Sequence, residues 1–534
     1  MDGMNVERRC ARRAVGLCHG ILSQIKSGRH VPRSDIDNAL CVLQMYEEMW
    51  GYLDDDRESG VADWSIPFEF NQSRSHPLGQ RTIEGQPQAE TGQTADPNRK
   101  QSPHLPPEVL ASIFAHLDAT PTIAHNEESG QQNKRTQRDL LACCFVNKAW
   151  KAMAAPFLWK NPRLWSPRGL FKLVYCSRIS RFSFNGNLGT EVRRLDTMGL
   201  QLEEPLHTPL IRIMASTFPN LEMLRLGIRN FHPNTIEHVF DLCHDIQCFA
   251  LRGDPCISFD VWGESSVPHF MAGMKKLSAL CLHNVVCDAQ SMRFYHCVLS
   301  SMTSTLRHLN IGRTWVGDEI VTAFAKCCPH LQTFILEENS ALTDVGIEVL
   351  AMSCRDLRFV KLRNCIHVGD DGITALVKRC RNLTVLGISY TRCTDATIQI
   401  IAERCQHLHT LFMEDILLES EDTIIKMLEM RGKKLTTLAM ASTDVISQAT
   451  VDALISYCPE LRELDLASCG SDNLANPITE ASIDRLVDSC PKLRTLLVCG
   501  VDGISDEYLD KLSSRLSTTQ FWLSPPDELT GWIE

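Results

Sequence analysis

The stretch Cys354–Cys365, CRDLRFVKLRNC, carries the pattern that decides the fold. Leu357, Val360 and Leu362 are apolar, and polar or aromatic residues alternate with the last two, which is typical of a short strand with one buried face. A cysteine stands at each end of the stretch. Taken alone, the stretch leaves four interpretations of these cysteines: a metal site, a disulfide, a catalytic thiol, or part of a larger unit.

The pattern recurs along the chain, which favours the larger unit. Further copies begin at Cys328, Cys380, Cys405, Cys458 and Cys490, and weaker copies lie upstream. The first aliphatic residues of successive copies are separated by 25, 26, 26, 25, 27 and 26 residues, and they are Leu306, Leu331, Leu357, Leu383, Leu408, Leu435 and Leu461. Such a period is that of leucine-rich repeats, which are roughly 20–29 residues long.

The second half of each unit is predicted to be a helix. After Leu336, the apolar residues Val345, Val349 and Met352 lie at helical spacing, and Asp344 is predicted to cap the helix. Neither the strand nor the helix can bury its apolar side alone, so stacked neighbours must share one core. The sequence therefore predicts parallel strands on a concave side, with helices outside.

The repeat gives the cysteines a structural role. Cys354, Cys380 and Cys405 end helices and are predicted to point into the tight space between repeats. Cys365 and Cys469 follow strands and are predicted to bond loop backbone groups, as are the small polar residues at the equivalent places, Thr314, Asn339, Thr391 and Thr443. The 23 cysteines cannot all pair, and no C-x-x-C pair has a matching partner, so no metal site is expected.

The repeats resemble those of a known protein family. Cys-x-x-Leu-x-x-Leu-x-Leu at this period, over about Phe218–Val501, resembles the cysteine-containing leucine-rich repeats found in one group of F-box proteins. A further degenerate copy is expected at Cys176, in CSRISRFSF.

A second motif lies ahead of the repeats. LPPEVLASIFAHL at Leu105–Leu117 and DLLACCFVNKAWKAMAAPFLW at Asp139–Trp159 together resemble an F-box. The resemblance implies that the following residues divide between the F-box core and its interface with an adaptor: Leu105, Pro106, Glu108, Val109, Leu110, Ile113, Phe114, Leu117, Leu141, Val146, Lys148 and Trp150. The polar insert 118–138 departs from the family pattern, but lengthening a flexible loop costs only about 0.6 kcal/mol per doubling.

We therefore expect an α/β fold. It is a leucine-rich-repeat solenoid, a horseshoe with parallel strands on the concave face and helices outside, preceded by a small all-α F-box domain and an N-terminal helical hairpin. The predicted boundaries are 1–56 for the helical N-terminal region, 57–102 for a disordered linker, 103–165 for the F-box with its inserted loop 118–138, 166–217 for a linker or degenerate repeat, and 218–534 for the solenoid with a C-terminal cap.

Composition and motifs exclude several function classes. The net charge of −11 argues against a general nucleic-acid or anionic-membrane binder. No apolar run approaches the roughly 20 residues of a bilayer span, and the N-terminus lacks the apolar core of a signal peptide. We expect an intracellular protein, cytoplasmic and/or nuclear. No phosphate-cradling glycine-rich motif, G-x-S-x-G or H-E-x-x-H occurs, so we expect neither an enzyme nor a cofactor.

The family resemblance implies the function of a substrate-recognition subunit of an SCF (Skp–cullin–F-box) ubiquitin ligase. The F-box would bind a Skp-type adaptor and, through it, a cullin/RING scaffold, while the concave face holds a protein substrate for degradation. The strand alternation places the candidate substrate contacts on this face, namely Arg225, Arg252, His308, Lys361, Arg363, Phe412 and Glu414. It also places Glu337, Ser389 and Asp465 there. The alternative is a non-catalytic leucine-rich scaffold or inhibitor that binds regulatory proteins without ubiquitination.

Overall fold

The structure is a computed structural model. It describes residues 148–162, 164, 166–183, 188–198, 200, 207–228, 239–258, 276–286, 305–314, 316–470 and 476–516. All of them lie in the second of the two units into which the chain divides, residues 101–534. The predicted N-terminal hairpin, the linker 57–102, the inserted loop 118–138 and the C-terminal cap beyond residue 516 lie outside the described residues.

Twelve strands form one parallel sheet, and each strand pairs with the next along the chain. The strands are β1 (Arg194–Asp196), β2 (Met223–Ile228), β3 (Cys248–Ser258), β4 (Ala279–Val286), β5 (His308–Asn310), β6 (Thr333–Ile335), β7 (Phe359–Lys361), β8 (Val385–Gly387), β9 (Thr410–Phe412), β10 (Thr437–Ala439), β11 (Glu463–Asp465) and β12 (Thr495–Leu497). Equivalent residues of successive repeats lie side by side, as in Thr333, Phe359 and Val385. The α/β solenoid predicted from the period is confirmed.

Helices alternate with the strands in most of the described repeats. The described helices are α1 (Lys148–Lys160), α2 (Pro167–Ser183), α3 (His207–Thr217), α4 (Asp318–Cys327), α5 (Asp344–Ser353), α6 (Asp370–Arg379), α7 (Asp395–Arg404), α8 (Glu421–Arg431), α9 (Gln448–Tyr457), α10 (Glu480–Ser489) and α11 (Asp506–Ser513). Short 3₁₀ turns occupy Leu188–Glu191 and Gly432–Lys434.

The core lies between the sheet and the helices. Leu357, Val360 and Leu362, the three aliphatic residues of the opening stretch, are fully buried, as are their equivalents in neighbouring repeats. Burying such a side chain contributes roughly 1.5–3 kcal/mol, and a repeat can realise this only when its neighbours cover it.

The helix α5 forms as predicted, but it buries a different face. Val345 and Met352 are 61% and 55% exposed, whereas Ile347, Leu350 and Ala351 are buried against the core. The stripe that the sequence pattern singled out therefore faces outward. The period of the apolar residues predicted the helix correctly, but two apolar stripes on one helix left its orientation open.

The predicted cap of α5 is wrong by one residue. Thr343 is the N-cap, and its hydroxyl accepts a hydrogen bond from the backbone N–H of Val345. Asp344 instead accepts from the backbone N–H groups of Gly369 and Gly372, at 2.8 and 3.0 Å, in the next repeat. Its carboxylate therefore joins two repeats.

The same inter-repeat bond recurs along the solenoid. Asp318 accepts from the Thr343 backbone N–H at 2.8 Å, and Asp370 from that of Thr394 at 2.9 Å. Glu421 accepts from the Ser447 backbone N–H, and Glu480 from that of Ser505. An acid in the first turn of a helix thus satisfies N–H groups that the start of the next helix leaves without intrahelical partners.

Asp344 approaches the next helix most closely at Gly372. A Cβ atom at Gly372 would lie 2.5 Å from Asp344 Oδ1 and 3.1 Å from its Cα. A side chain at Gly372 would therefore require Asp344 to shift, whereas in the following repeat Thr397 occupies the equivalent position and its hydroxyl donates to Asp370.

The structural role predicted for the cysteines is confirmed. The Cys354 thiol is buried at the end of α5 and donates to the Cys328 carbonyl at 3.4 Å, and the Cys380 thiol donates to the Cys354 carbonyl at 3.3 Å. The Cys365 and Cys469 thiols donate to carbonyls of the preceding repeat at 3.1 and 3.0 Å. Burial raises the pKa of Cys354 to about 12, so its thiol stays protonated and unreactive.

The degenerate repeat copy expected at Cys176 is wrong. Cys176 lies within the helix α2, and the strand that begins the sheet is β1, further along the chain. β1 pairs in parallel with β2 through Arg194 and Met223. Part of the segment 166–217 therefore belongs to the solenoid.

Asp344→Ala is expected to lower the free energy of unfolding by about 2 kcal/mol, because the backbone N–H groups of Gly369 and Gly372 lose their charged acceptor. Chemical denaturation of the full chain, followed by circular dichroism, measures this loss. Asp371→Ala is the matched control, since Asp371 is exposed and lies in the first turn of α6. Equal losses in both variants would show that the inter-repeat bonds contribute nothing.

Candidate functional site

The strand side of the solenoid is its concave side. Packed helices lie about 8–10 Å apart, whereas paired strands lie about 4.7–4.9 Å apart, so the strand layer takes the inside of the bend. Two rows of side chains cross this face. We call the row formed by the last residue of each strand the floor row, and it contains Ile335, Lys361, Gly387, Phe412, Ala439 and Asp465. We call the row two residues further on the rim row, and it contains Gly312, Glu337, Arg363, Ser389 and Glu414.

Lys361 lies across the neighbouring strand. Its ammonium nitrogen is 5.2 Å from the ring centroid of Phe359 and 4.7 Å from that of Phe412, two strands away. Gly387 makes this possible, because a Cβ atom there would lie 3.1 Å from Lys361 Cγ. The side chain is 5% exposed, and the two rings hold its charge by cation–π contacts.

Arg363 lies beside Lys361 on the rim row and turns in the same direction. Its guanidinium carbon is 5.1 Å from the centroid of the Tyr390 ring. The Tyr390 backbone has φ 57°, in the turn that follows β8, and its N–H donates to the Glu414 carbonyl. The Nε atom of Arg363 is buried and has no hydrogen-bond partner.

Glu337 precedes Arg363 on the rim row. The Glu338 N–H donates to the Arg363 carbonyl at 2.8 Å, which holds the two repeats in register at this point. Glu337 is 8% exposed, and its Oε1 atom has no hydrogen-bond partner. Burial raises the pKa of Glu337, and the charges of Lys361 and Arg363 only partly oppose this effect.

Two further acids are buried in the later repeats. Glu414 accepts from the hydroxyl of Ser389. Burial raises the pKa of Glu414 to about 7, against the opposing charges of Arg363 and Lys361. Burial also raises the pKa of Asp465, whose carboxylate accepts from the Ala467 backbone N–H at 2.9 Å. The concave face thus carries acids and bases that are partly shielded from water. Charges interact more strongly there than they do in bulk water.

Three other candidate contacts lie in different surroundings. Arg225 is 2% exposed, and its guanidinium donates to Asp196 at 2.7 Å, which joins β2 to β1. His308 is buried, its Nδ1 lies 3.2 Å from the Thr333 hydroxyl, and burial lowers its pKa to about 4. Arg252 is exposed. Substrate contact by these side chains stays a prediction. Arg225 and His308 are buried and contact other side chains of the solenoid, which strand alternation did not predict.

The strands of the first repeats also contribute a cluster of buried apolar side chains. The buried cluster here is formed by Met223, Cys248, Ala250, Ala279 and Cys281, with Met198 packed against it. The ionisable candidates are divided equally: Arg225, Arg252 and His308 lie on β2, β3 and β5, and Lys361, Arg363 and Glu414 lie on or just after β7 and β9.

Most of the F-box candidates lie outside the described residues, from Leu105 to Val146. Lys148 and Trp150 lie in the first turn of the helix α1. At the end of this helix, the Lys160 carbonyl accepts from the Arg193 backbone N–H at 2.9 Å, directly before β1. The second half of the F-box motif is thus hydrogen-bonded to the start of the sheet.

Among the described residues, no group of three or more His, Cys, Asp or Glu side chains is arranged to hold a metal ion. In the same part of the chain, no helix has the length and apolar character needed to cross a bilayer.

Two family models match the chain. The model described as F-box-like matches residues 102–165, and the model described as Leucine Rich repeat matches residues 304–325. The second match contains β5 and most of α4. The two motifs found in the sequence are therefore recognised independently of each other.

Curated relatives share parts of the chain. F-box/LRR-repeat protein 4 of Bos taurus is 25% identical over 179 residues, which are 32% of this chain and 28% of that protein. F-box protein MAX2 of Arabidopsis thaliana is 24% identical over 263 residues, which are 44% of this chain and 38% of that protein. The matched region thus spans between about a quarter and two fifths of the length of these relatives.

The chain is also similar to solved structures. An internalin from Listeria monocytogenes has 16% identity and a TM-score of 0.35, with 63% of this chain and 82% of that chain covered.

The fold and the motif matches together define a class of protein with an F-box ahead of a repeat solenoid. The chain combines an F-box-like region with a leucine-rich-repeat solenoid, and it is similar to F-box/LRR proteins.

Sequence reasoning missed two features of the concave face. Tyr390 was not a candidate, although an aromatic residue directly after a concave position is a signal that it can stack on a neighbouring side chain. Glu337 was placed on the face but not among the contacts. Its register opposite Arg363 was available from the repeat period, whereas its unpartnered oxygen was not.

The variant Glu414→Gln is expected to gain stability relative to wild type as pH rises. The folded-state pKa of Glu414 is raised from 4.5 to about 7, so wild type loses stability as pH rises through this window, while glutamine does not ionise. The relative gain should reach on the order of 1–3 kcal/mol above the window. Denaturation below and above this pH window measures it.

Glu419→Gln is the control, because Glu419 is exposed in the same repeat. A stability difference between Glu414→Gln and wild type that does not change with pH would contradict the raised pKa.

Proposed function

We propose that this protein is the substrate receptor of an SCF-type ubiquitin ligase. The F-box binds a Skp-type adaptor and thereby a cullin/RING scaffold, and the concave face of the solenoid holds a protein substrate. The receptor contributes no bond-making chemistry of its own.

One observation carries this proposal. The helix α1 lies within the F-box-like match and is hydrogen-bonded, through the Lys160 carbonyl, to the backbone that enters β1. Asn220, which follows α3, donates to the Thr190 carbonyl at 2.9 Å in the same segment. These hydrogen bonds, which link the last helix of the F-box-like match to the segment that enters the sheet, support the proposal that one end of the protein binds the adaptor and the other the substrate.

This connection suits a mechanism of proximity. A receptor that holds its substrate at a set distance from the ubiquitin-charged enzyme raises the local concentration of acceptor lysines without any catalytic group. Ordered structure between the two ends limits the positions the substrate can occupy, which increases this effect. Such a ligase subunit acts in the cytoplasm and/or nucleus, and its function requires neither a cofactor nor a metal.

The combined variant Leu110→Ala and Trp150→Ala is expected to weaken adaptor binding at least about tenfold, because large apolar residues at the centre of an interface contribute most of its affinity. Co-purification with the adaptor and substrate ubiquitination in a reconstituted ligase measure the effect. Both should fall together, and the substrate should accumulate in cells.

The control truncates two exposed apolar residues on the solenoid, Val345→Ala and Met352→Ala. It should leave adaptor binding and ubiquitination unchanged. Full ubiquitination by the Leu110→Ala and Trp150→Ala variant would reject the role assigned to the F-box. Absence of substrate ubiquitination with the wild-type protein would reject the ligase function and favour a scaffold or inhibitor that binds regulatory proteins without ubiquitination.

A further inference from the structure

The edge of the solenoid at which the helices end carries exposed bases in the middle repeats. We call this part of it the basic edge, and it comprises residues 352–358, 378–384 and 403–409, the ends of α5, α6 and α7 with the loops that lead to β7, β8 and β9. Its six Lys or Arg side chains are all exposed, and they are Arg355, Arg358, Lys378, Arg379, Arg381 and Arg404. None of the six forms an ion pair with another described residue.

Elsewhere on the same edge, the structure pairs polar and charged side chains from one repeat to the next. The residue directly before the first aliphatic of each repeat forms a row, and within the described residues its pairs are Asp245–Lys276, His330–Asp356 and Glu460–Lys492. The row contains no acid in the three repeats between Asp356 and Glu460, where its residues are Asn382, His407 and Lys434. The pairing therefore stops where the unpaired bases are concentrated.

The two acids of the basic edge do not neutralise it. Asp356 already lies 3.1 Å from His330 Nδ1, and Glu403 is the other acid. The carboxylates that begin these helices, such as Asp344, accept backbone N–H groups of the next repeat. They also lie a helix length away, about 15 Å for ten residues, which exceeds the Debye length of about 8 Å at physiological salt.

The bases are close enough together to contact one partner. Burial raises the pKa of Cys380 to about 12, and the positive charges of Arg355 and Arg379 oppose this rise, so both guanidinium groups lie near the same thiol. Packed helices lie about 8–10 Å apart, so the ends of three consecutive helices span about 20 Å. An extended segment of about six residues covers this length.

Stabilisation of the helix ends does not account for the basic edge. A base in the last turn interacts favourably with the helix dipole, and Lys378, Arg379 and Arg404 lie in such turns. However, α5, α9 and α10 end without any base in the last turn. Arg355 and Arg381 lie beyond the helices, in the loops that lead to the strands.

We propose that the basic edge binds a segment of another protein that is rich in aspartate and glutamate. Exposed guanidinium groups donate paired hydrogen bonds to carboxylates, which makes arginine the preferred partner of such groups. The bases are spread over three repeats, so they suit a run of carboxylates better than a single phosphate group, which needs its donors gathered at one point. The inference goes beyond the proposed function, because this edge is separate from the floor and rim rows of the concave face.

Nucleic acid fits the basic edge less well than an acidic segment does. Proteins that bind single strands stack the bases on aromatic rings, and from residue 316 to residue 470 no aromatic side chain is exposed. The net charge of −11 for the whole chain also opposes a long polyanion. A short acidic segment meets mainly the local positive charge.

The test compares two peptides on the full chain by fluorescence anisotropy. One fluorescein-labelled peptide alternates glutamate with glycine, and in the other glutamine replaces each glutamate. At low ionic strength, where exposed charges are weakly screened, the glutamate peptide is expected to bind at least about tenfold more tightly, and added salt should reduce this preference. Equal binding of the two peptides by the wild-type protein would overturn the proposal without any variant.

A combined variant locates the binding surface. It carries three substitutions on the basic edge, namely Arg355→Gln, Arg379→Gln and Arg381→Gln, and it should reduce the preference to about twofold or less. The matched control removes the same charge from exposed bases that are paired with acids, namely Arg485→Gln, Lys492→Gln and Arg515→Gln, and it should keep the preference. Equal loss in both variants would overturn the proposal, because only the net charge would then matter.

Two further probes separate the acidic segment from other anionic partners. A peptide with a single phosphoserine and a short oligouridylate are measured in the same way. Tighter binding of either probe than of the glutamate peptide would overturn the proposal, in favour of a phosphorylated segment or of RNA. No part of the test uses the adaptor or ubiquitination, so its failure leaves the proposed ligase function unaffected.

Discussion

In most repeats from α4 onward, a carboxylate in the first turn of the helix accepts hydrogen bonds from the backbone of the next repeat, and the solenoid depends on such bonds between neighbours. A strand of three residues and a helix of ten cannot satisfy their own polar ends or bury their own apolar side. Asp344 completes the start of α6, and the thiol of Cys380 completes a carbonyl at the end of α5. Every repeat is thus a partner for its neighbour, which explains why a period recurs so strictly.

The inter-repeat hydrogen bonds and the shared apolar core do not involve most side chains of the concave face, so the residues on that face can differ from repeat to repeat. The first repeats use this freedom for an apolar cluster around Cys248 and Cys281, whereas the later ones carry Glu337, Lys361 and Glu414. Because strands lie closer together than helices, side chains on the concave side are crowded. Crowding desolvates the acids and raises their pKa values, and it brings the bases onto aromatic rings.

The proposed ligase function depends on how the F-box-like region is joined to the repeats, and both lie in one compact unit of the chain. The Lys160 carbonyl, at the end of α1, accepts a bond from the chain that begins the sheet. Under the proposed function, this hydrogen-bonded connection would restrict the position of a bound substrate relative to the adaptor more than a mobile tether would.

The sequence by itself determined the repeat, its strands and helices, and the structural role of the cysteines, because these features follow from spacings within one period. It also placed Lys361, Arg363 and Glu414 on the correct face through strand alternation. Only the tertiary structure decided that Val345 faces outward, that Asp344 joins two repeats, and that Arg225 is buried against Asp196. It also decided that Lys361 crosses Gly387 to reach Phe412 and leaves Glu337 without a partner. These outcomes depend on residues one or two repeats away, and no pattern within a single repeat records which neighbour a long side chain will contact.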